Sequence, residues 1–120
     1  MHFVAEESCW NWEPDEGYRL TRRMFKKTPG IRALLCMNDR LAFGAYQALA
    51  ELGLAIPEDV SIVSFDNDEI ASYLRPGLTT IALPHERMGQ SAVELVLANG
   101  DGSEHLVPMP IVERNSIRKL

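Results

Sequence analysis

The sequence predicts an α/β domain with a mainly parallel sheet, and three observations carry that prediction. Strand and helix patterns alternate along the 120 residues in the order β-α-β-α-β-α-β-α-β, the alternation that yields parallel strands joined by right-handed crossovers. Two runs, Ile31–Met37 (broken only by Arg32) and Val60–Phe65, are short and mostly apolar, as expected of strands covered on both faces. Composition agrees: 46% hydrophobic and 24% charged residues describe a globular chain rather than a disordered or fibrous one.

The elements follow in order. Val4–Glu7 is expected to be a short strand, and Ser8–Glu13 a loop carrying Trp10 and Trp12. Pro14, Asp15 and Glu16 open a helix, because proline fits its first turn and acidic groups favour its positive end. Arg22, Arg23, Lys26 and Lys27 crowd its later turns, and Thr28-Pro29-Gly30 stops it. Asn38 or Asp39 caps a second helix reaching about Leu52, with Gly53 as its stop. Pro57-Glu58-Asp59 is a turn before the second buried strand. Asp66-Asn67-Asp68 starts a short helix to about Leu74, and Thr79–Ala82 is extended. Pro84 begins a helix to about Ala98, and residues 99–102 form a turn. Leu106–Val112 is extended but holds Pro108 and Pro110, which confines it to a sheet edge.

Charge and cysteine usage exclude several classes. Seventeen acidic residues against twelve basic ones leave a net charge of −5, a poor surface for gripping nucleic-acid phosphates directly. The basic turns of the first helix read as a solvated face. Two cysteines, Cys9 and Cys36, are too few for a disulfide scaffold and suit a reducing, cytoplasmic setting. No apolar run approaches the roughly 20 residues of a membrane span, and Met1–Glu7 does not read as a signal peptide.

In open α/β sheets, ligands bind beyond the carboxyl ends of the strands. Two strand tips there are polar: Asn38-Asp39 after the first buried strand, and Asp66-Asn67-Asp68-Glu69 after the second. A carboxylate that accepts two hydroxyl hydrogen bonds and an amide that both donates and accepts suit a polyhydroxylated ligand. Trp12 offers a flat apolar wall for a sugar's CH face. Helix capping is the competing explanation for Asn38, Asp39, Asp66 and Asn67. Catalytic signals are weak: no Gly-rich phosphate loop accompanies the acidic tip, and nothing resembles a nucleophile elbow. His2, His85 and His105 have no metal-ligand spacing. No metal, cofactor or enzymatic activity is therefore expected.

Longer stretches become specific. Ala33-Leu34-Leu35-Cys36-Met37-Asn38-Asp39-Arg40-Leu41-Ala42-Phe43-Gly44-Ala45 resembles the lactose/galactose repressor family of bacterial transcription regulators. Leu52-Gly53-Leu54-Ala55-Ile56-Pro57-Glu58-Asp59-Val60-Ser61-Ile62-Val63-Ser64-Phe65-Asp66-Asn67 continues the likeness, as do Tyr73–Ile81 and Met88-Gly89-Gln90. Val112-Glu113-Arg114-Asn115-Ser116 looks like the family's final strand. Ser64 stands where glycine is usual and Asn67 where aspartate is frequent.

The resemblance implies a mainly parallel, three-layer, periplasmic-binding-protein-like fold, with this chain as the C-terminal portion of the effector-binding domain. It implies that Trp12, Asn38 and Asp66 are effector contacts, with His85 where some members place an aromatic residue. Asp39 beside them is read as a cap as readily as a contact. It further implies a homodimer whose surface includes Leu41, Tyr46 and Tyr73, and a small-molecule effector, a sugar or sugar phosphate. Operator DNA would be reached only through a helix-turn-helix that this chain lacks. The helix at 84–98 would normally pack on an N-terminal subdomain also absent here, so a dimer or exchange of that helix is expected. The competing functions are a stand-alone periplasmic-type sugar-binding module and, further off, a small α/β phosphoryl-transfer enzyme.

Overall fold

The computed structural model describes residues 2–98, 102 and 104–119. Its elements are α1 (Pro14–Lys27), β1 (Ala33–Leu35), α2 (Asp39–Glu51), β2 (Ser61–Asp66), α3 (Glu69–Tyr73), β3 (Thr79–Ala82), α4 (His85–Leu97) and β4 (Ile111–Val112). One sheet runs β1-β2-β3-β4, with β1, β2 and β3 parallel and β4 antiparallel at the edge.

Helix limits fall where local chemistry puts them. Pro14 occupies the first turn of α1 with Asp15 and Glu16, while Lys26 and Lys27 lie in the last. Asn38 caps α2 by accepting the Leu41 N–H at 2.8 Å. Gly53, at φ 70°, ends it with the left-handed turn that costs glycine little. The two helices cross at glycines: a Cβ on Gly17 would stand 2.1 Å from the Leu41 carbonyl oxygen, and one on Gly44 1.9 Å from that of Pro14. No other residue type permits such an approach.

The core lies on one face of the sheet. Leu34 and Ile62, paired across β1 and β2, pack with Ala42, Ala45, Tyr46 and Leu49 of α2 and Ala71 of α3. Leu35 and Val63, the next pair, point to the other face, where Leu35 is 61% exposed and Ile111 of β4 is 62% exposed. The expectation of two covered faces for Ile31–Met37 is therefore corrected. Its ladder is three residues long, and the described helices cover one face of it.

Three further expectations change. Val4–Glu7 forms no strand. Glu7 instead turns its carboxylate to Arg23 and Lys27 of α1, and charge-assisted bonds to a helix compete with a ladder. Leu106–Val112 shortens to a two-residue edge strand, because Pro108 and Pro110 supply no N–H; the Pro110 carbonyl still accepts from Ala82 at 2.9 Å. Glu113–Ser116 is not a strand. It inserts Ser116 between the starts of β2 and β3, where its hydroxyl donates to Ile62 O at 2.6 Å and accepts from Thr79 N–H at 2.8 Å. The turn at 99–102 lies, apart from Gly102, outside the described residues. Helix α4 buries none of its residues, and the molecule extends 54 × 27 × 26 Å.

Candidate functional site

Three adjacent parallel strands end in Asn38, Asp66 and His85. Asn38 follows β1, Asp66 is the last residue of β2, and His85 starts α4 just after β3. Trp12 joins them from the loop before α1, its carbonyl accepting from the Asn38 side-chain amide at 3.1 Å. The four residues singled out in the sequence thus gather at one end of the sheet.

Their free valences differ. Asn38 is buried and already makes two bonds, accepting from Leu41 and donating to Trp12. One N–H and one lone pair remain for a ligand. The Trp12 side chain is 49% exposed, enough to present a ring face. Asp66 is different: among the described residues its carboxylate has no hydrogen-bond partner. Partial burial raises its pKa, the carboxylates of Asp39 and Asp68 add to that, and His85 opposes it. A half-buried carboxylate with unfilled acceptor positions can receive ligand hydroxyls.

The backbone at Asp66 is unusual. Asp66 and Asn67 have φ values of 107° and 57°, a left-handed pair that non-glycine residues adopt at a cost. Asn67 Oδ1 accepts from Arg114 at 2.9 Å, and its N–H donates to Thr80 Oγ1 at 3.3 Å. Asp68 N–H donates to Asp39 Oδ2 at 2.7 Å. Sequence reasoning did not connect Arg114 to this turn; its place in Glu113-Arg114-Asn115-Ser116 was the available signal. The choice between Asn38 and Asp39 as cap resolves: Asn38 caps α2, and Asp39, fully buried, serves the turn after β2.

The three residues expected at a dimer surface separate. Leu41 and Tyr46 are buried within this chain, Tyr46 donating its hydroxyl to Pro76 O at 3.1 Å. Tyr73 is 65% exposed and donates to Glu69 at 2.5 Å. Among the described residues no group of three or more His, Cys, Asp or Glu side chains is placed to hold a metal ion. None of the described helices is long and apolar enough to cross a membrane.

Residues 3–117 match the family model for the periplasmic binding protein-like domain. The chain belongs to that family. Within it, the chain's relatives include regulators of the lactose/galactose repressor type. The transcriptional repressor PurR of Proteus mirabilis is 38% identical over 112 residues, which are 89% of this chain and 33% of that protein. A lac repressor dimer bound to operator and the anti-inducer ONPF superposes with a TM-score of 0.81 at 32% identity, over 89% of this chain and 39% of that one. A LacI-family regulator of Enterococcus faecalis with bound ribose superposes at 0.76 and 36% identity, over 90% of this chain and 42% of that one. The periplasmic-binding-protein-like chain therefore spans about a third of the length of the curated relatives it matches.

Proposed function

We propose that this chain is the effector-facing part of a sugar-responsive regulator of the lactose/galactose repressor type, with Trp12, Asn38, Asp66 and His85 turned to the ligand. The observation that carries the reading is the convergence of polar residues beyond three adjacent parallel strands, with an Asp66 carboxylate that no side chain or backbone group among the described residues occupies. Ribose bound to a relative 36% identical supports the ligand class.

No bond making or breaking is required. A ligand held between two lobes favours the lobe arrangement that binds it better, and that preference is relayed to operator affinity. The apolar side of α4 (Met88, Ala92, Leu95 and Val96) then packs on the second lobe. A homodimer of such regulators works in the cytoplasm and meets DNA through a helix-turn-helix outside these 120 residues.

The test is titration of the isotopically labelled chain, wild type and Asp66→Ala, with ribose and a panel of hexoses and sugar phosphates. Saturable shifts should centre on the Trp12 indole, the Asn38 amide and Asp66. Removing a charged acceptor should weaken binding by more than about tenfold, since such hydrogen bonds contribute roughly 1.5–3 kcal/mol. Affinity retained within about twofold, or shifts centred away from these residues, would remove Asp66 from the site.

A further inference from the structure

Asp39 is the one carboxylate among the described residues that is wholly buried, and neither capping nor ligand contact uses it. It lies at the first turn of α2 and reaches across to β2. One oxygen accepts from the Ser64 hydroxyl, the other from the Asp68 N–H at 2.7 Å. Those partners flank Asp66 by two residues on either side. The carboxylate thus clamps the chain one residue short of the left-handed pair Asp66-Asn67 and again immediately after it.

We propose that Asp39 is a positioning residue for Asp66, fixing the direction of its carboxylate by tying Ser64 to Asp68 and acting on it by charge through the same short path. The inference rests on reading Asp66 as the ligand-facing acceptor. Two consecutive non-glycine residues at positive φ persist only where their surroundings overdetermine them, and the ties are countable. Asp39 holds Asp68, Thr80 of β3 receives the Asn67 N–H, and Arg114 of the C-terminal segment grips the Asn67 side chain. Of these only Asp39 is a carboxyl group wholly in the interior. Partial burial holds the Asp66 acid above its usual range, and Asp39 and Asp68 add to that. The groups facing Asp66 are Asp39 from α2, Asp68 from its own turn and His85 from α4, the last acting in the opposite sense.

Two substitutions separate geometry from charge. In Asp39→Asn the side-chain oxygen can still accept from Asp68 N–H, and its amide can donate to Ser64 Oγ, which turns to accept. Both ties survive and the charge goes. In Asp39→Ala both ties go. The measurements are three-bond couplings from Hα to the preceding carbonyl carbon at residues 66 and 67, which are large only at positive φ, amide exchange at Asp68, and the NMR titration of the Asp66 carboxyl carbon in the full 120-residue chain. Asp39→Asn should keep the left-handed couplings and move the Asp66 midpoint down. Asp39→Ala should lose the couplings and speed Asp68 exchange by about tenfold or more, as local opening of that turn requires. An unmoved Asp66 midpoint in Asp39→Asn overturns the inference, as do left-handed couplings retained in Asp39→Ala. If Asp39→Ala fails to fold, the Asp39→Asn titration decides alone. None of these readouts involves a ligand, so a failed sugar assignment for Asp66 and a failed positioning role are told apart.

Discussion

Replacing Gly44 with alanine places a methyl group where two helices meet backbone to backbone. The new Cβ would stand 1.9 Å from the Pro14 carbonyl oxygen and 2.6 Å from the Tyr18 nitrogen. Ordinary contact begins near 3.4 Å, so α1 and α2 must part by about 3.4 − 1.9 = 1.5 Å at the crossing. The obstructing atoms are backbone and cannot swing aside as a flexible side chain would. Overpacking costs roughly 1–3 kcal/mol, and this site belongs at the upper end. Alanine's better helix propensity returns about 1 kcal/mol. The net expectation is a loss of about 2 kcal/mol, which lowers a urea midpoint by about 1 M at typical slopes. Gly89 on α4 is the control: nothing lies within 4 Å of its Cβ position, so Gly89→Ala should be neutral or slightly stabilising. The Asn38–Trp12 bond links the loop before α1 to the start of α2, so Trp12 emission should also change in Gly44→Ala. Urea unfolding followed by circular dichroism and fluorescence checks both. A midpoint equal to or above wild type would refute close helix crossing as the reason for glycine at this position.

Other outcomes follow from the same structure. Ser116→Ala leaves the Thr79 N–H and the Ile62 carbonyl without the hydroxyl that pairs both; at about 1–3 kcal/mol for each buried orphan the loss should be roughly 2–6 kcal/mol, and a change under about 0.5 kcal/mol would contradict that bridge. Burial pushes Cys36 up to about 12, with the Asp39 charge adding to it, and burial pushes Tyr46 up to about 12. The native state therefore keeps protons that the unfolded chain releases nearer 9 and 10. Stability from these groups is complete below those values and declines as pH climbs from about 9 to 12, so the urea midpoint should fall over that range; a rise would reverse the sign argued here. Exposed Val93, Val96 and Leu97 on α4, with Leu35 and Ile111 on the open sheet face, exceed what a monomer comfortably shows to water. Sedimentation equilibrium should find self-association that Val96→Glu weakens, and a monodisperse wild-type monomer would count against it.

Much of this protein was legible in its residues because the relevant signals are local. Pro14, Asn38 and Gly53 mark helix ends through groups within a few positions of each, and α1 and α2 begin and end accordingly. Alternation of apolar runs with helical periods announced the parallel sheet. The linked motifs around Asn38 and Asp66 placed both at strand tips, where they stand. Tertiary structure decided which long-range partner claims a polar group. Asn38 and Asp39 are adjacent and equally good caps, yet Ser64 and Asp68, 25 and 29 residues away, draw Asp39 into the interior. Arg114 reaches Asn67 across 47 residues, a distance at which no periodicity speaks. Leu41 and Tyr46 looked available to a partner and are enclosed, while Leu35 looked enclosed and is open. An apolar pattern records that a side chain seeks cover. Only the packing of the rest of the chain determines whether that cover is present.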